Sequence, residues 1–132
     1  WYGAASKREW DVNARQPEAL DALIARIDCP VFAAFGAEDH IISIDDVRRF
    51  RNCLEDHRKS YHIAVYASAP HGWLNDTMPG RYRKPQAEAG WAAQQRFLES
   101  RLVNAGDSAL VSWRFESDVA ATYDFSKNVR ME

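Results

Sequence analysis

The chain has 132 residues, enough for one domain with a core of its own. Apolar residues make up 46% and charged residues 27%, the balance of an ordinary globular protein. A net charge of −2 with no long basic block argues against nucleic acid or an anionic membrane as a partner, and no apolar run approaches the roughly 20 residues of a membrane-spanning helix.

The first residues, Trp1-Tyr2-Gly3, lack an initiator Met and read like a strand running out into a loop. The expectation is therefore a C-terminal part of a larger protein, in which targeting segments cannot be assessed. From Pro17 to Ile27 a weak helical pattern appears, with Leu20, Leu23, Ile24 and Ile27 at spacings of three and four. Asp28-Cys29-Pro30 stops it and leads into a strand, Val31 to Phe35. That run does not alternate, so it is expected to be covered on both faces, as in a parallel sheet flanked by helices.

The next helix has a clear start. Ser43 is placed to cap it and Asp46, three residues on, to complete a capping box. Ile44, Val47, Phe50 and Leu54 form its apolar stripe, Arg48, Arg49 and Arg51 its solvated side, and His57-Arg58-Lys59 its end. A second strand follows, Tyr61 to Ala67, closed by Ser68-Ala69-Pro70-His71-Gly72. Beyond a loop rich in Asn, Asp, Pro and Gly, a long helix is expected from about Pro85 to Val103. Its face is drawn by Ala87, Trp91, Leu98 and Leu102, widened by Phe97. The domain is taken as 1–105. Residues 106–132 are an extension in which Val111, Trp113 and Phe115 alternate like a half-buried strand and Tyr123-Asp124-Phe125 adds an apolar anchor.

The order strand, helix, strand makes the two strands parallel neighbours, so residues just past their carboxyl ends share one edge of the sheet. Asp39 and His71 occupy those positions. A carboxylate and an imidazole meeting there is what an acid–base pair requires. His40 adjoins Asp39 and is placed at the mouth of the pocket. Trp73, Asn75 and Tyr82 read either as part of a lid or as a surface loop pinned by Trp73. The two cysteines, Cys29 and Cys53, fit neither a disulfide framework nor a zinc site, and are read as free, mostly buried thiols of a reducing, cytoplasmic compartment. No two histidines share an element at metal-ligand spacing, so neither a metal nor a cofactor is expected.

Gly36-Ala37-Glu38-Asp39 after one strand, His71-Gly72-Trp73 after the next, then Ala87-Glu88-Ala89-Gly90-Trp91 on a helix, resemble the C-terminal half of the dienelactone hydrolase family, over residues 27 to 102. Two positions depart from that pattern: Trp73 stands where Phe is usual and Gly90 where Ala is usual, and the bulkier Trp73 is expected to reshape the pocket wall. The resemblance implies an α/β-hydrolase fold, Asp39 as triad acid, His71 as general base, and a small ester or lactone as substrate. Cyclic enol esters from aromatic catabolism are the type case. The attacking residue is missing. No Gly-x-Ser-x-Gly or Gly-x-Cys-x-Gly elbow occurs in the chain, so nucleophile and oxyanion hole are expected upstream. Ser68 follows its strand without the strained strand-to-helix turn that exposes a nucleophile. Two other readings stay open: a half-domain without catalysis that serves only binding or assembly, and the same fold turned to dehalogenation or peptide cleavage.

Overall fold

The computed structural model describes residues 5–14 and 16–102, together with the backbone of 123–124 and 129–130. A 3-10 turn at Lys7–Trp10 leads to α1 (Leu20–Ala25), β1 (Val31–Gly36), α2 (Ile44–Asp56), β2 (Tyr61–Tyr66) and α3 (Lys84–Leu102). Two short strands, β3 (Tyr123–Asp124) and β4 (Val129–Arg130), pair antiparallel further on. The strand expected at Val111 to Phe115 lies outside the described residues.

β1 and β2 run parallel in one register, from Val31 opposite Tyr61 to Gly36 opposite Tyr66. Side chains alternate across this pair. Val31, Ala33 and Phe35 with Tyr61, Ile63 and Val65 face a cluster built on Ile24, Val47 and Leu54 of α1 and α2. Ala34, Ala64 and Tyr66 face a second cluster with Ala69, Trp73 and Ala87, beneath α3. Helices therefore lie on both faces, as the unalternating β1 run predicts, although Val31 to Ala34 are only half-buried. Val47 and Leu54 are wholly buried and Ile24 nearly so, each contributing roughly 1.5–3 kcal/mol of transfer free energy.

The capping box at α2 forms as its sequence dictates: the Ser43 hydroxyl accepts from the Asp46 N–H at 3.1 Å, and the Asp46 carboxylate accepts from the Ser43 N–H at 3.0 Å. Arg58, at φ 52°, turns the chain out of α2, and Lys59 Nζ donates to the Ala25 carbonyl at 2.7 Å, tying the ends of α1 and α2 together. Arg48 and Arg51 are half-buried rather than solvated, held by Asp45 and Glu55.

Three expectations are corrected. α1 starts at Leu20, not Pro17, and its Leu23 is exposed. Cys29 is exposed, and of the two thiols only Cys53 is buried. On α3, Trp91, Leu98 and Leu102 are exposed, at 44%, 41% and 74%. The helix instead presents Ala87 and Gly90 to the sheet, with Phe97 tilted against Phe32 at 5.5 Å. Small residues let α3 approach closely, and Trp73 supplies the volume they leave: a Cβ on Gly90 would sit 3.0 Å from the Trp73 ring.

Gly36 is required by an equally close approach. A Cβ there would lie 2.1 Å from the Ala69 carbonyl oxygen. That is backbone, which cannot swing away. Replacing Gly36 by alanine is expected to cost about 1–3 kcal/mol of stability through overpacking, read as a lower urea midpoint. It also displaces the loop bearing His71.

Candidate active site

β1 and β2 end side by side, and the turns beyond them are stitched together. The Ala37 N–H donates to the Tyr66 carbonyl at 2.8 Å and the Glu38 N–H to the Ala69 carbonyl at 3.1 Å. Asp39 is carried three residues beyond β1 and His71 five beyond β2. His71 Nδ1 and Asp39 Oδ2 are 3.0 Å apart. Asp39 Oδ1 accepts the N–H groups of Ile41 at 2.8 Å and Ile42 at 3.0 Å. One carboxylate oxygen thus fixes the acid to its own loop, and the other meets the imidazole.

Burial alone raises the Asp39 carboxyl, whose side chain is 7% exposed. The Ile42 and Ile41 N–H groups and the His71 ring outweigh it, so the group sits below its ordinary range and is ionised. An ionised acceptor favours the tautomer in which Nδ1 carries the proton and Nε2 offers its lone pair. Among the described residues Nε2 makes no hydrogen bond, and 30% of the His71 side chain is exposed. The pair can therefore accept a proton from a group approaching that edge.

Gly72, at φ +84°, allows the chain to turn directly after His71. The following loop is pinned: the Arg83 N–H donates to the Trp73 carbonyl at 3.0 Å and the Arg83 guanidinium to the Ser68 carbonyl at 3.2 Å. Of the two readings of this segment, the structure gives the pinned loop. Trp73 is 6% exposed, its ring 4.8 Å from that of Tyr66, so its side chain is turned into the core. The exposed His40 ring stands edge-on to His71 at 6.1 Å. Tyr82 packs against the Trp73 cluster, and Asn75 is engaged with Thr77. Ser68 does adopt left-handed geometry, φ 55°, but runs into Ala69 and Pro70 rather than into a helix. Sequence reasoning missed the Ile41 and Ile42 donors. An acid followed at once by free N–H groups in a turn is the signal that points to them.

With the geometry in place, comparison with known proteins is decisive. The profile described as "Dienelactone hydrolase family" matches residues 1–102. The chain belongs to the dienelactone hydrolase family. It is 30% identical over 99 residues to a protein of Salmonella typhimurium, and 29% identical over 99 residues to one of Escherichia coli, both provisionally named carboxymethylenebutenolidase. Each match covers 75% of this chain and 34% of the relative, so the chain spans about a third of their length. A crystal structure of a provisionally assigned dienelactone hydrolase from Klebsiella pneumoniae superposes with a TM-score of 0.59 at 27% identity, covering 67% of this chain and 35% of that one. The α/β arrangement is thus that of part of an α/β-hydrolase. Among the described residues no helix is long and apolar enough to cross a membrane.

A second group of reactive side chains lies apart from this edge. Asp21, Cys53 and His57 bring one ligand atom each within 4.8 Å of the others. The sequence reading expects no metal-ligating set and takes Cys53 as a free, buried thiol. Cys53 and His57 stand four apart on α2, a spacing visible in the sequence, but Asp21 comes from α1 and only folding brings it there.

Proposed function

We propose that the chain provides the acid–base half of a catalytic triad that cleaves a carboxylic ester or lactone. The observation supporting this most directly is the 3.0 Å contact between His71 Nδ1 and an Asp39 carboxylate already locked by two backbone donors. Family membership supports the same chemistry. The attacking Ser or Cys, with the oxyanion hole, comes from outside these residues, since no elbow motif occurs in the chain.

In the reaction, His71 Nε2 takes the proton of the nucleophile as that atom bonds to the carbonyl carbon. Asp39 accepts the Nδ1–H throughout and stabilises the imidazolium. As the carbon–oxygen bond of the ester breaks, His71 returns the proton to the leaving alkoxide or enolate. Water then repeats the sequence on the acyl-enzyme. In a lactone the leaving oxygen stays tethered to the acyl group, so release waits on the second half. His40, beside the imidazole at the mouth, contacts the substrate. Trp73, assigned by sequence to the pocket wall, acts through its packing, holding the His71 loop against α3. The test is hydrolysis of a small aryl ester by the intact protein, wild type against variants at 39 and 71. Full activity in both variants would remove the assignment.

The exposed Trp91, Leu98 and Leu102 stripe favours a second reading, in which these residues alone are an assembly unit without turnover. On that reading the isolated 132-residue chain sediments as an associated species and is inactive. A monodisperse, active chain would exclude it.

A further inference from the structure

Cys53 and His57, in the last turn of α2 and at its C-terminal cap, stand four residues apart and so project from the same side of the helix. Asp21, in the first turn of α1, faces them. Its Oδ1 lies 3.0 Å from Cys53 Sγ and 3.0 Å from His57 Nε2. A thiol, an imidazole and a carboxylate from two elements converge on a common point. The geometry points to a binding site for one divalent cation of the zinc type, held by Asp21 Oδ1, Cys53 Sγ and His57 Nε2, with a fourth position open to solvent.

The dimensions fit. Bond lengths of about 2.0–2.1 Å to nitrogen or oxygen and 2.3 Å to sulfur give tetrahedral edges of roughly 3.3–3.5 Å. The two 3.0 Å edges need to open by a few tenths of an ångström, and the Cys53–His57 edge, within 4.8 Å, to settle onto the same range. Asp21 and Cys53 also line a surface cleft of about 450 Å³, with Trp10, Arg49, Asn52 and Asp56 around it, which gives an ion and its water a way in. This cleft shares no residue with the Asp39–His71 edge.

Charge favours the same occupant: three carboxylates, Asp21, Asp45 and Asp56, line the cleft against two guanidiniums, Arg48 and Arg49. On binding, the Cys53 proton passes to solvent as the sulfur–metal bond forms, and the neutral imidazole donates its Nε2 lone pair. Thiolate and carboxylate together neutralise the ion. Sulfur and nitrogen ligands select zinc or cobalt over magnesium or calcium.

The experiment is titration of the purified, reduced, metal-stripped protein with Co²⁺, then displacement by Zn²⁺ against a chromophoric chelator. One equivalent of cobalt with a thiolate-to-metal charge-transfer band is expected, and zinc should abolish it. Cys53→Ser should lose the band, and His57→Gln should bind zinc at least tenfold more weakly while keeping it. The exposed Cys29→Ser should change neither. No band in the wild type, a band that follows Cys29 instead of Cys53, or zinc affinity equal in wild type and His57→Gln would each overturn the site. His57→Gln changes a half-buried side chain at the end of α2 rather than a core one, so a folding defect in the Cys53 variant leaves the question decidable.

Discussion

Replacing His71 by alanine is expected to lower kcat for ester hydrolysis by about 10,000-fold or more in the intact protein, with the fold retained. The size follows from the role. Without the imidazole no group takes the proton of the nucleophile, and what persists is the activation supplied by binding and the oxyanion hole. Folding should survive because His71 is 30% exposed and sits in a loop whose turns are closed by backbone bonds and by Arg83. Circular dichroism beside single-turnover kinetics separates the two. A variant that is native by spectrum and hydrolyses the ester at the wild-type rate would remove His71 from the chemistry.

Asp39→Asn is expected to cost a similar factor, about 10,000-fold in kcat, by a different route. The amide oxygen can still accept the Ile41 and Ile42 N–H groups, so the loop keeps its shape. The amide nitrogen then faces His71 Nδ1 and donates to it. That reverses the ring's tautomer and puts the proton on Nε2, the atom that must be free. Stability changes with pH in a defined sense. The Asp39 carboxyl is lower in the folded chain than its ordinary value. Its stabilisation is therefore complete above the unfolded carboxylate range and disappears as pH falls through the folded value. Below about pH 4 the wild type should lose stability on acidification more steeply than Asp39→Asn, measured by urea unfolding across pH. Equal slopes would show that the Asp39 carboxyl is not held below its ordinary value in the folded chain.

Much of this site was legible in the sequence because it depends on topology more than on contacts. Two apolar runs separated by one helix fix a parallel crossover, and that alone brings Asp39 and His71 to one edge. Ser43 and Asp46 were legible because a capping box is local. What failed was whatever depends on which element packs where. The helical period of α3 marks Ala87, Trp91, Leu98 and Leu102, widened by Phe97, as an apolar face; Ala87 and Phe97 do meet the sheet, but the three large residues between and beyond them are exposed, and Gly90, whose value lies in being small, takes their place. Periodicity weights large side chains and cannot see that. Trp73 shows the complementary side of the same packing: its ring fills the space above Gly90. Asp21 lies 32 positions from Cys53 and 36 from His57, so no local pattern joins them.

The two backbone bonds joining Ala37 to Tyr66 and Glu38 to Ala69 have a consequence for how such a protein diversifies. They fuse two chain reversals into one block, so thermal motion carries acid and imidazole together and leaves their spacing unchanged. Length changes inside that block would disturb the 3.0 Å contact between Asp39 and His71. The exposed tip from Asp76 to Arg81 lies beyond it. Sequence change there leaves the Asp39–His71 spacing intact.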